Sequence, residues 1–396
     1  TKIDDLPEIA VYDDGSNIVF YAQGVTSWTY YLSSDHFQHT INPYATRGYY
    51  FVTSSNVGSK KRIETSPAIS AGDDAYSVTR FIDHQVHELE SLNLVDPSGM
   101  AGGGRHFVGE RFTPGERITL PFSFPNIDAS VSTKVSVSIA ASSSTQSNFT
   151  ISLGSRSNDA VISATTSLLE QAVSGKRSFN YPTTNNSSVN VGIAFNSTNN
   201  SALGYLDYME VSAYRNLRMV GNSMMFRNSE HVSTTSNNIF TLQDATANTQ
   251  IWDITDPANM TNTPTTLDGT TLTFVGTNAS VLHEYVAINT DQISLLPQLT
   301  PESSVLPRQN LHALRDVDMV IITHPDFKSA ADRLAQAHAD YDGLNTIVVT
   351  SNEVYNEFSS GTPDASAYRW FMKMLYDRAT LENGTQPRYL LLMGDG

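Results

Sequence analysis

The sequence predicts a mixed fold: β-sandwich or jelly-roll domains in the N-terminal three quarters, followed by the first half of an α/β unit built on a parallel sheet. Three observations predict it. Patches of apolar and polar alternation, each bounded by Gly, Asn, Pro or Ser, recur up to about residue 310, as antiparallel strands with one wet face require. From Val317 the pattern changes to short continuous apolar runs alternating with helical periodicity, which indicates parallel βαβ units with both sheet faces covered. Between the two regimes, Leu295 to Gln309 carries three prolines that interrupt every pattern.

In chain order, Lys134 to Ile139, Ser188 to Phe195, Leu206 to Tyr214, Thr271 to Val275 and Val281 to Ile288 read as strands, with polar loops at Ser142 to Asn148 and Thr183 to Asn190. The expected division is a β-rich domain over 1–130, a second over 131–300, a linker over 301–316 and the α/β unit over 317–396. In that unit Val317 to Thr323 is a strand, followed by a helix from about Ser329 to Tyr341. Ala330, Leu334, Ala337 and Tyr341 would face the sheet, with Asp332, Arg333 and Gln336 outside. Asp342-Gly343 would close that helix with a left-handed residue, and Thr346 to Thr350 is the next strand. A helix opens at Ser351 with Glu353 in its first turn, and a longer one runs from about Asp364 to Thr380. The apolar run Tyr389 to Met393 is a third strand, and the sequence stops soon after it, so the sheet is expected to be a truncated one.

Composition narrows the function classes. None of the 396 residues is cysteine, which leaves no disulfide, thiolate metal site or thiol nucleophile within the sequence. A formal charge of −16 without clustered Lys and Arg argues against nucleic acid as a partner. There is no apolar stretch of roughly 20 residues to span a bilayer, and Thr1-Lys-Ile-Asp-Asp5 is not a signal peptide. Strands rich in Tyr, Ser, Thr and Asn, with 16% charged residues overall, resemble those of extracytoplasmic β-proteins more than those of cytoplasmic enzymes, and if the protein is exported its signal is expected to have been removed already.

Several residues invite a site reading. Ala101 to Arg105 is glycine-rich, yet no helix or Lys-Ser/Thr follows, so a tight loop is expected rather than a phosphate cradle. His84 and His87, an odd spacing apart, should sit on opposite faces of a strand as surface polar residues. Trp28, Tyr30 and Tyr31 suit strand packing or, alternatively, stacking on a sugar. At the carboxyl end of the first α/β strand, His324-Pro-Asp-Phe327 points toward the working edge of the sheet, with Asp326 as a helix cap. Asp395, between Gly394 and Gly396 beyond the third strand, should face the same crevice. Asp395, His324 and Asp326 are therefore expected to shape a site. No cofactor is expected, with a structural calcium ion held by such carboxylates as the one exception.

The stretch Val317 to Phe327, Ala335 to His338, and above all Val348 to Asp377 resemble the opening of the gingipain-like cysteine peptidases, and among them the PorU-type sortases of the type IX secretion system. Arg388 to Gly396 fits the same proteins, as do Phe20 to Gly24, Trp28, Asn42 to Tyr44, Tyr49 to Phe51 and Ile251 to Pro257 in the β region. The resemblance implies a caspase-like α/β domain with a His/Cys pair, preceded by β domains, at the cell surface or outer membrane. It implies removal of the C-terminal secretion signal of cargo and attachment of the cargo to anionic lipopolysaccharide through a thioester. Implied partners are a porin-like outer-membrane shuttle subunit, other proteins of the attachment complex, and cargo signal domains. No catalytic residue transfers to this sequence, and residues 1–396 alone are expected to be inactive. A non-enzymatic surface scaffold and a carbohydrate-binding protein are the alternatives.

Overall fold

Two β-sandwiches and a three-stranded parallel sheet carry the chain. The computed structural model describes residues 6–34, 36–53, 60–94, 106–166, 171–184, 186–232, 236–276, 281–299, 306 and 308–394. The glycine-rich stretch at 101–105 and Asp395 lie outside the described residues. Near the N-terminus a hairpin of β1 (Thr26–Tyr31) and β2 (His36–Ile41) pairs only with itself among the described residues.

The first sandwich uses β3 (Arg80–Glu88), β4 (Arg117–Ser123), β5 (Thr133–Ser142), β6 (Ser147–Leu153), β7 (Arg156–Ile162), β8 (Val173–Tyr181), β9 (Ser188–Ser197) and β10 (Leu203–Asn216). In one sheet β10 pairs with β3, with β5 and with residues 111–112, and β8 lies beyond β5; the other runs β4-β9-β6-β7. Alternation in β6 and β9 turns Phe149, Ile151, Val191, Ile193 and Phe195 inward, where they meet Val135, Val137, Met209 and Val211 from the opposite sheet. Contrary to the one-wet-face expectation, β5 and β10 are buried on both faces: their outer residues Ser136, Ser138, Glu210 and Ser212 are covered as well. A bulge between β5 and β10 leaves Asp207 unpaired, so both Asp207 and Tyr208 reach that outer face.

The second sandwich is built from β11 (Ser223–Arg227), β12 (Asn238–Leu242), β13 (Thr249–Asp253), β14 (Thr265–Asp268), β15 (Thr271–Gly276) and β16 (Glu284–Asn289). Residues 64–65 and 76–78 add parallel edges to its two sheets. Phe240 and Phe274 stack at 4.6 Å in its core beside Phe226 and Tyr285. The pairing therefore divides the β region near residue 217 rather than at 130: β4 belongs with β9, and the N-terminal strands are shared between both sandwiches. Alternation locates a strand, but its sheet is chosen by long-range packing.

The α/β unit consists of β17 (Met319–Thr323), α1 (Lys328–Asp342), β18 (Thr346–Thr350), α2 (Ser351–Phe358), α3 (Ala365–Glu382) and β19 (Tyr389–Met393), with parallel order β18-β17-β19. Helix α1 covers one face, and α2 and α3 pack Val354, Phe358, Phe371 and Met374 on Val320 and Ile322 of the other. The buried stripe of α1 is Ala331, Leu334 and Ala335; Tyr341, expected to face the sheet, is 88% exposed. Gly343 closes α1 at φ 65° as expected. The cap of α2 is Thr350 rather than Ser351, in a capping box with Glu353. Asp364 caps α3.

Candidate functional site

In an open parallel sheet the strands deliver functional groups beyond their carboxyl ends. Here β17 and β19 end side by side: the His324 amide donates to the Met393 carbonyl at 3.3 Å and the Thr323 hydroxyl to the same oxygen at 3.2 Å. The polypeptide then turns through Pro325–Phe327 into α1, and His324 opens that turn by accepting at Nδ1 from the Asp326 amide at 3.3 Å. The expected roles are thus exchanged. His324 is the cap, while Asp326 is an exposed carboxylate 3.5 Å from the imidazole. Thr350, at the end of β18, closes the same edge by capping α2. The edge presents one imidazole with a carboxylate beside it, and no thiol is available to join them.

A second constellation lies on the outer face of the first sandwich, and nothing local in the sequence signals it. His39 of β2 is buried between two carboxylates, with Nδ1 2.6 Å from Glu210 Oε1 and Nε2 2.6 Å from Glu88 Oε2; its amide also donates to Glu210. Burial pulls the imidazole pKa down, but the two carboxylate hydrogen bonds outweigh it and raise it to about 9. His84 shows the opposite case. Buried against Trp28 and Phe37 with the Arg227 guanidinium beside it, it is pushed down to about 2 and stays neutral. It does face away from His87, which is partly exposed and pairs with Glu110 at 2.6 Å; His84 is not the surface polar residue expected. Trp28 and Tyr30 are likewise committed to packing, on His84 at 4.0 Å and Phe37 at 4.9 Å. A cavity of about 480 Å³ adjoins His39, lined by Glu88, His106, Lys176, Asp207 and Tyr208. Among the described residues no three or more His, Asp or Glu are placed to hold a metal ion.

The model of Peptidase family C25 matches residues 312–396. No curated protein matches the sequence. Dimeric latent PorU from Porphyromonas gingivalis, a solved structure, superposes over 98% of this chain with a TM-score of 0.81 at 23% identity. The chain is PorU-like in fold. It spans 36% of that PorU chain. A carbohydrate-binding module of a multidomain xylanase from the hindgut metagenome of Trinervitermes trinervoides matches 33% of this chain and 96% of its own, at 8% identity and a TM-score of 0.21. In this PorU-like chain the family match opens at His312, inside the expected linker, and the structure shows why the linker is more than a tether. Glu357 of α2 accepts from the amides of Leu311 and His312, from Gln309 Nε2, and meets His312 Nδ1 at 2.7 Å, while Leu311 is buried in the helix-side core. Residues 309–314 therefore belong to the α/β unit.

Proposed function

We propose that this chain is the N-terminal part of a cell-surface cysteine endopeptidase of the sortase type, which removes the C-terminal secretion signal of type IX cargo and attaches the cargo to anionic lipopolysaccharide. The observation that carries the reading is that one fold likeness runs through both sandwiches and into the segment matching Peptidase family C25. The catalytic thiolate would be supplied from outside residues 1–396, since none of these residues is a cysteine. The acyl-transfer step would proceed through a thioester at that thiolate, resolved by a sugar-linked amine or by water. In this reading the protein is held at the outer membrane by docking to a porin-like shuttle subunit and other attachment-complex proteins; no helix among the described residues is long and apolar enough to cross a membrane.

The test incubates the full-length natural protein, and separately residues 1–396, with a cargo protein bearing its type IX C-terminal signal. Signal removal by the former and none by the latter is expected. An intact signal after incubation with the full-length protein would overturn the proposal, and cleavage by residues 1–396 would overturn the placement of the nucleophile.

A further inference from the structure

Residues 25–51 form an arm that touches two distant parts of the molecule. Its first half is the hairpin β1–β2, laid on the outer face of the first sandwich without joining a sheet there among the described residues. His39 fixes it, with one ring nitrogen on Glu88 of β3 and the other on Glu210 of β10, and Tyr208 of β10 stands edge-on to the ring at 4.6 Å. The second half reaches the turn between α2 and α3. There Ser360 donates its hydroxyl to the Tyr49 carbonyl at 2.7 Å, and Tyr49 and Phe51 lie against Gly361. Tyr50 turns back to accept from the Gln23 amide at 2.6 Å. The turn is shaped for this contact: Ser360 has φ +51° and Gly361 φ +77°, and a left-handed serine is unfavourable unless its surroundings hold it. Cavities of about 960 and 730 Å³ flank the arm.

We propose that the arm is a protonation-controlled strap, through which the charged imidazole of His39 on the first sandwich holds the α2–α3 turn of the α/β unit in place. With the imidazolium present, each ring N–H has a carboxylate acceptor. When the ring is neutral it keeps one N–H, so one carboxylate loses its donor and faces a ring lone pair, both lose their charged partner, and the hairpin loosens. Other charged groups nearby are His36 on β2, 3.8 Å from Glu210, Lys176 on β8 beside the Tyr208 ring, His106 on Asp207, and Glu90, which hydrogen-bonds Glu88 and whose pKa is raised by burial and by the Glu88 and Asp207 charges. The sign follows from the raised pKa of His39. Its contribution is fully present below the unfolded value of 6.5 and is lost as pH rises through about 9.

Hydrogen exchange of the full-length protein, followed by mass spectrometry from pH 5.5 to 10 and corrected for intrinsic rates, tests this. Protection of residues 42–51 and of residues 359–364 should be constant below about pH 6.5 and fall together, on the order of a hundredfold, up to about pH 9 before levelling. His39→Gln should abolish the step and leave both segments open at every pH, and His106→Gln should keep it. Ser360→Ala should open the turn alone, with the hairpin still protected, which keeps the test decisive where His39→Gln does not fold. A flat wild-type profile, a step retained in His39→Gln, or a turn that stays protected while the arm opens would each overturn the proposal.

Discussion

Glu357 joins the α/β unit to the residues before it more firmly than any other side chain on α2. Four donors converge on its carboxylate, two of them backbone amides in the stretch expected to be a free linker. Burial raises its pKa, but the hydrogen bonds from Leu311, Gln309 and His312 outweigh that and hold it below 4.5. A depressed carboxylate contributes stability that is present above the unfolded pKa and is lost as pH falls through the folded one. Thermal unfolding followed on the α/β unit should therefore lose midpoint temperature below about pH 4.5. In Glu357→Gln the acid dependence should shrink, and at pH 7 the variant should be less stable by about 1–3 kcal/mol, because buried donors lose a charged acceptor. An unchanged acid limb in the variant would mean that other carboxylates set it. His84 shows what residue-level reading misses. The odd spacing gave its face on β3 correctly, but only the hairpin, folded over from fifty residues away, makes that face an interior.

At the scale of elements, the α/β unit was legible and the β region only partly so. Continuous runs such as Thr346 to Thr350 and Tyr389 to Met393 became strands with those boundaries, because an unbroken apolar or β-branched run bounded by turn residues marks a parallel strand from end to end. Helix α1 was placed correctly but rotated by about one residue, since a stripe of alanines offers no bulky side chain to mark the inner face. Sheet membership was not legible at all, because β4 pairs with β9 and β3 with β10 across long separations. At the site, the loop after β17 was found but its capping roles were not, as a histidine that caps is unusual beside an aspartate that suits the task. The caps give a direct comparison. Thr350→Ala should cost about 1–2 kcal/mol through loss of the box with Glu353, whereas Asp326→Asn should stay within about 0.5 kcal/mol. Urea denaturation of the two variants checks this, and a larger loss for Asp326→Asn would restore that residue as the cap.

At the scale of the whole molecule, polar contacts tie the two sandwiches and the α/β unit into one chain of supports, but the parallel sheet itself is covered unevenly. β18 and β17 lie under α2 and α3 on one face, while β19 at the opposite edge is packed only on the α1 side, through Leu391 and Met393. Its alternate residues face outward, with Leu390 45% and Leu392 58% exposed, and Tyr389 beside them is 51% exposed. β19 pairs with β17 alone, so its other edge has no strand partner among the described residues. Unpaired backbone beside exposed leucines is the combination that natural edge strands avoid with charges or bulges, because it accepts a strand from a second molecule. Purified residues 1–396 should accordingly self-associate with rising concentration, and Leu392→Lys should suppress it by placing a charge on the open face without disturbing Leu391 or Met393. Sedimentation velocity across a tenfold or wider concentration range, with near-ultraviolet circular dichroism to show that the fold persists, separates the outcomes. Association that continues unchanged in Leu392→Lys would place the adhesive surface elsewhere on the molecule.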